Sequence, residues 1–103
     1  MKIIQKLTDL IEEEVHDMEK YAKLAAEYKD EDLALASLFY ELSTEEEKHQ
    51  AMLHDEAVKI IRDYRKTHGD PPAAMQAVYE HLHKRHIEKI AEAKNFQEIY
   101  LNM

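Results

Sequence analysis

The chain is 103 residues long, 45% apolar and 35% charged, with 1 Gly, 2 Pro and no Cys. A chain this short holds one core, so residues 1–103 form a single domain, and the scarcity of Gly and Pro predicts an all-α fold of long helices joined by tight turns. A formal net charge of -8 argues against nucleic acid or an anionic membrane surface as a partner, since basic patches serve both, and suits cations better. Without cysteine there is no disulfide framework, thiolate metal site or cysteine nucleophile. The N-terminal "MKIIQKLTDLIEEE" lacks the uninterrupted apolar stretch of a secretory leader, and the run "LALASLFY" at residues 33–40 is too short to span a bilayer. A soluble, cytoplasmic protein is expected.

Apolar residues at Ile4, Leu7, Ile11, Met18, Tyr21, Ala25 and Tyr28 recur at alternating steps of three and four once Glu14 is counted in, which predicts a first helix over residues 2–28. Glu14 is the one slot on that stripe that is not apolar. The segment "YKDED" reads as a polar turn, with Asp30 or Asp32 as the N-cap of the next helix. No Gly or Pro then interrupts the chain before Gly69, so a second helix is predicted from about Asp32 to about Thr67, closed by Gly69 as its C-cap. Its stripe reads Leu35, Phe39, Leu42, Glu46, His49, Leu53, Ile60 and Tyr64. Of the acidic run Glu45, Glu46, Glu47, only Glu46 falls on the stripe, three residues before His49. Asp70 before Pro71 predicts an N-cap with Pro71 at the first helical position. The third helix then runs from Pro71 to near the C-terminus, with a stripe of Met75, Val78, Tyr79, Leu82, Ile87, Ile90 and Tyr100 broken by His81, His83 and His86. Met18, Met52 and Met75 read as core filler.

A helix of about 36 residues is roughly 54 Å long at 1.5 Å per residue, longer than a compact domain of this size is wide. The run "LALASLFY" is uncharged on every side of the helix for two turns, and a helix apolar all round is normally buried all round. A homo-oligomer is therefore expected.

Glu14, Glu46 and His49 stand on otherwise apolar stripes, where burial without partners is expensive. The three-residue spacing of Glu46 and His49 puts a carboxylate and an imidazole on one helix face, in reach of one cation. Such donors suit iron or manganese, and zinc also binds them. The plainer reading is an ion pair on a charged face, the usual fate of this short motif. Glu13, His16 and Asp17 read as surface charges beside Glu14, or as an acidic entry path for Fe²⁺. His81, His83 and His86 read as surface or interface histidines, as an accessory metal site or as a pH-sensitive contact.

Residues 14–53, "EVHDMEKYAKLAAEYKDEDLALASLFYELSTEEEKHQAML", resemble the first helical pair of the ferritin-like superfamily, rubrerythrins in particular: a glutamate, a tyrosine seven residues later, small residues after it, and Glu-x-x-His about thirty residues downstream. The resemblance implies metal ligation by Glu14, by Glu46 as a bridging carboxylate and by His49, with Tyr21 beside the site. A complete di-iron site in this superfamily takes a Glu from each of two helices and Glu-x-x-His from each of the other two. This chain holds half of that set, in the manner of encapsulated ferritins, which it is similar to in length and plan. The resemblance thus implies a ferritin-like four-helix bundle completed by homodimerisation, with a di-iron centre shared between two subunits. Glu80 and His83 repeat the Glu-x-x-His spacing, but no fourth helix brings the missing carboxylate. The activity implied is oxidation of Fe²⁺, in iron handling or oxidative-stress defence, with Zn, Mn or Ca as substitute metals and Glu14, Glu46, His49 and Tyr21 as the catalytic set. The partners implied are a second copy, as a dimer or a ring of dimers, and an encapsulin shell, although "NFQEIYLNM" carries no Gly-Ser-Leu-type cargo tail. A non-catalytic helical module stapled by metal is the alternative, and a metal-free interaction protein is a third.

Overall fold

The computed structural model describes residues 2–102, which form three helices: α1 (Lys2–Tyr28), α2 (Leu33–His68) and α3 (Ala73–Leu101). Among the described residues there is no strand, and no helix is long and apolar enough to cross a membrane. The helices stack into a rod of 54 × 18 × 18 Å with a radius of gyration of 16.4 Å, above the about 13 Å of a compact chain this long. The 36-residue α2 sets that length.

The ends of the helices follow local chemistry. Asp32 is the N-cap of α2, its Oδ1 accepting from the Leu35 amide at 3.1 Å. Gly69 closes α2 at φ 75, a left-handed conformation natural to glycine, and its amide donates to the Arg65 carbonyl at 3.1 Å. The expected start of α3 is corrected: the helix begins at Ala73, and Asp70 pairs with Arg65 at 3.5 Å instead of capping. Pro71 precedes Pro72, and a residue before proline is pushed out of the helical region. The carbonyls of Pro71 and Pro72 accept instead from the side chain and the backbone amide of Gln76, at 2.7 and 3.0 Å. At the other end of the rod Lys29 donates to the Ile99 and Asn102 carbonyls at 2.7 and 3.1 Å. A cation there offsets the open carbonyls of the α3 terminus and fixes α1 parallel to α3.

α1 is the spine. Its buried seam, Ile4, Leu7, Ile11, Val15, Met18, Ala22 and Ala25, keeps three- and four-residue steps throughout, and both other helices pack along it more than on each other. Leu7, Ile4 and Ala57 form one cluster under Leu53, Ile60, Ile61 and Tyr79; Met18, Ala22 and Ala93 form a second under Ile90 and Phe96. The seam keeps the expected Ile4, Leu7, Ile11, Met18 and Ala25 of α1 and departs from the expected stripes elsewhere. In α1, Val15 and Ala22 take the places expected of Glu14 and Tyr21. In α2 the buried residues are Ala36, Ser43 and Ala57, and in α3 they are His86, Ala93 and Gln97, whereas Val78 and Ile87 are exposed. Met18 is core as expected, but Met52 is 70% exposed.

Where α2 meets α3 the link is largely polar. The Gln97 amide donates to the Ser43 hydroxyl at 3.1 Å and to Glu47 Oε1 at 3.4 Å, and Lys94 pairs with Glu47 at 3.2 Å. Glu47, off the expected stripe, is therefore a tie to α3. The rings of Tyr40 and Tyr100 stack nearby at 4.9 Å. The run at residues 33–40 keeps Leu33 and Leu38 about half exposed, so α1 and α3 do not cover it.

Met18 has no exposed surface, so Met18→Ala is expected to lower stability by about 2–5 kcal/mol in urea denaturation. Glu45→Ala, on an exposed position, is expected to stay within about 0.5 kcal/mol of the original chain.

Candidate metal centre

Glu14 lies near the middle of α1 and faces Glu46 and His49 near the middle of α2, because the two helices run antiparallel through the tight turn at residues 29–32. One donor atom from each of the three lies within 4.8 Å of the others, and among the described residues no other group of three such side chains converges in this way. His49 Nδ1 is 3.6 Å from Glu14 Oε2 and 3.8 Å from Glu46 Oε2. Both distances exceed hydrogen-bond range, and Glu14 Oε2 is buried with no hydrogen-bond partner.

These separations are a little wider than those around a bound cation. Donor atoms about 2.1 Å from one ion stand roughly 3.0–3.4 Å apart around it, so small side-chain rotations bring this set into range. Two carboxylates and an imidazole are a fitting donor set for Fe²⁺, Mn²⁺ or Zn²⁺. A cation would also give Glu14 Oε2 the partner it lacks, and an unpaired buried carboxylate oxygen is costly. The set is open on one side. The Glu14 and Glu46 side chains are 27% and 19% exposed and that of His49 is 53% exposed, so His49 looks outward from the edge of the bundle. At about 100° of turn per residue, Leu10 lies one turn from Glu14 on the outer side of α1 and Met52 one turn from His49 on α2, with Ile3 and Leu38 farther along the same sides. All four are exposed apolar side chains.

Tyr21 is not brought into this cluster. Its ring stacks on Phe39 at 6.4 Å with the Lys20 ammonium 5.3 Å above it, and among the described residues its hydroxyl pairs with none of the three ligand candidates. Glu13 and His16 are exposed, and Asp17 pairs with Lys20 at 3.7 Å. The repeat of the motif on α3 stays apart from the cluster: Glu80 is exposed, and His83 stacks on His54 at 4.9 Å. His81 is exposed, whereas His86 is 5% exposed and its Nε2 has no partner. The seam position of His86 escaped the sequence reading, which placed its neighbour Ile87 inside; the step of seven from His86 to Ala93 was the available signal.

No family model, curated protein or solved structure matches the chain.

Burial holds the His86 ring below its ordinary value of 6.5; the Glu12 carboxylate acts in the opposite direction, and His83, Arg85 and Lys89 add to the lowering. In the unfolded chain this ring takes up a proton as pH falls through about 6.5, while in the folded chain it stays neutral to lower pH. The unfolded state then binds more protons, so the stability that neutral His86 contributes is present above about 6.5 and lost as pH falls through the folded value. Urea midpoints measured from about pH 8 down to about pH 5 are expected to fall less steeply for His86→Leu than for the original chain.

Proposed function

We propose that the protein is a ferritin-like, di-iron carboxylate protein that oxidises Fe²⁺ at a centre shared between two copies of the chain, in iron handling or oxidative-stress defence. The observation that carries this reading is the convergence of Glu14, Glu46 and His49 on an open, apolar-rimmed edge, with one carboxylate oxygen buried and unpaired. Three donors from one chain leave a cation under-coordinated. A second copy related by a two-fold axis doubles them to four carboxylates and two imidazoles, and its apolar rim covers Leu10, Leu38 and Met52.

In this arrangement Fe²⁺ is the substrate. Four carboxylates against two divalent ions neutralise the charge of the reduced pair and favour the ferric state after each ion gives up one electron. Two Fe²⁺ supply the two electrons that hydrogen peroxide needs, with two protons, to become two molecules of water. Glu14, Glu46 and His49 of each chain would hold the ions, with Glu46 as the carboxylate shared by both and Glu14 and His49 as the terminal ligands.

The test is anaerobic loading with Fe²⁺ followed by oxygen or peroxide, read as the growth of ferric absorbance. Glu46→Ala is expected to slow the initial rate at least about tenfold, the scale on which weaker perturbations of a metal site act. Glu45→Ala is the control, since Glu47→Ala would cut the tie to Lys94 and Gln97. Equal rates for Glu46→Ala and the original chain would sink the reading.

A further inference from the structure

Toward the Gly69 turn, α2 and α3 leave a groove between them of about 630 Å³, floored by α1. That volume is in the range of small-molecule sites. Ile4, Ile11, Ala57, Ile61 and Leu82 line its length, and from His54 to Lys66 it follows α2 for roughly 18 Å at 1.5 Å per residue. Its two ends are polar in different ways.

At the turn end Arg62, Arg65 and Lys66 stand on the rim, three cations against the one carboxylate of the lining, Glu80, a local excess of positive charge in a chain of net charge -8. Arg65 and Lys66 lie in the last turn of α2, where cations meet the helix dipole, and Arg65 is also held by Asp70. Neither reason covers Arg62, which lies before the last turn. Among the described residues Arg62 and Lys66 have no ion-pair partner. At the inner end His86 lines the groove with 5% of its surface exposed and a ring nitrogen, Nε2, that no hydrogen bond satisfies. Buried polar atoms of this kind are normally paired, so the groove has a basic mouth, an apolar length and an unsatisfied polar terminus.

We propose that this groove binds a chain-like carboxylate with a polar far end: the carboxylate sits on Arg62 and Lys66, the methylene chain runs over Ile61, Ala57 and Leu82, and a terminal hydroxyl pairs with His86. The antiparallel course of α2 and α3 sets this order, because His83 stacks on His54 while Tyr79 and Ile61 share one cluster nearer the turn. The site is separate from the carboxylate cluster and does not rest on the metal reading.

The experiment is calorimetric titration of the intact, metal-free protein with dodecanoate, ω-hydroxydodecanoate and dodecanol, each below its aggregation limit. Dodecanoate is expected to bind one per chain and about tenfold or more tighter than dodecanol, the effect of a charge-assisted contact. The double variant Arg62→Ala, Lys66→Ala changes only exposed rim residues and is expected to erase that difference. ω-Hydroxydodecanoate is expected to bind tighter than dodecanoate, and His86→Leu to abolish this preference while leaving dodecanoate bound. Glu46→Ala is expected to bind all three as the original chain does, so failure at the metal centre and failure here are told apart. No saturable binding of dodecanoate, or equal binding by the rim variant, overturns the proposal. So does release of dodecanoate when the metal-free protein self-associates, because the groove is then a subunit contact.

Discussion

Burying a carboxylate oxygen is costly unless something positive or a proton donor meets it, and Glu14 Oε2 is buried between α1 and α2 with His49 Nδ1 at 3.6 Å, beyond hydrogen-bond distance. The rest of the molecule makes this position unavoidable. α1 is the spine on which both other helices pack, so its flank toward α2 is closed on the inner side by Val15 and Met18, neither of which has any exposed surface. Glu14, one row out from that seam, can meet only what α2 presents, and α2 presents Glu46 and His49. Like charges brought together this way repel unless a cation lies between them. The length of α2 enters the same argument: a 36-residue helix in a three-helix chain leaves apolar side chains bare along the edge where these groups stand.

That edge ties packing to function. In α2 the buried residues are all small, Ala36, Ser43 and Ala57, which lets α1 approach closely, while the larger Leu10, Leu38 and Met52 stay exposed. On the proposed reading those larger residues are the contact with a second copy and the carboxylates its centre, so one row of the helix surface carries both association and chemistry. The α2–α3 link, made by Ser43, Gln97, Glu47 and Lys94, keeps α3 on the opposite side and leaves the edge free.

The helices, their limits to within a few residues, an α2 cap at Asp30 or Asp32, the Gly69 cap and the grouping of Glu14 with Glu46 and His49 were all legible in the amino-acid order, because caps, breakers and three- and four-residue spacings are local signals. What stayed hidden follows from size rather than hydropathy. A stripe drawn through Leu35, Phe39, Leu42 and Leu53 follows the bulky residues, yet the close-packed seam runs through Ala36, Ser43 and Ala57, one row away. In α3 the buried face runs through Tyr79, His86, Ile90, Ala93 and Gln97 at helical steps, so the polar His86 and Gln97 fall inside it and Val78 and Ile87 fall outside. Pro71 misled for another reason: it is a good first helical residue alone and a poor one before a second proline. The ferritin-like resemblance was carried by Glu14, Tyr21, Glu46 and His49, of which the structure gathers three.

The central claim is that the carboxylate cluster is half of a site and that metal completes it by joining two chains. Sedimentation velocity of the metal-free and Fe²⁺-loaded protein under anaerobic conditions addresses this most directly, because binding that uses ligands from both chains must be linked to association. The account predicts a shift from monomer toward dimer on adding Fe²⁺, with one iron bound per chain, and its loss in His49→Ala. Two irons bound by a chain that stays monomeric would contradict it.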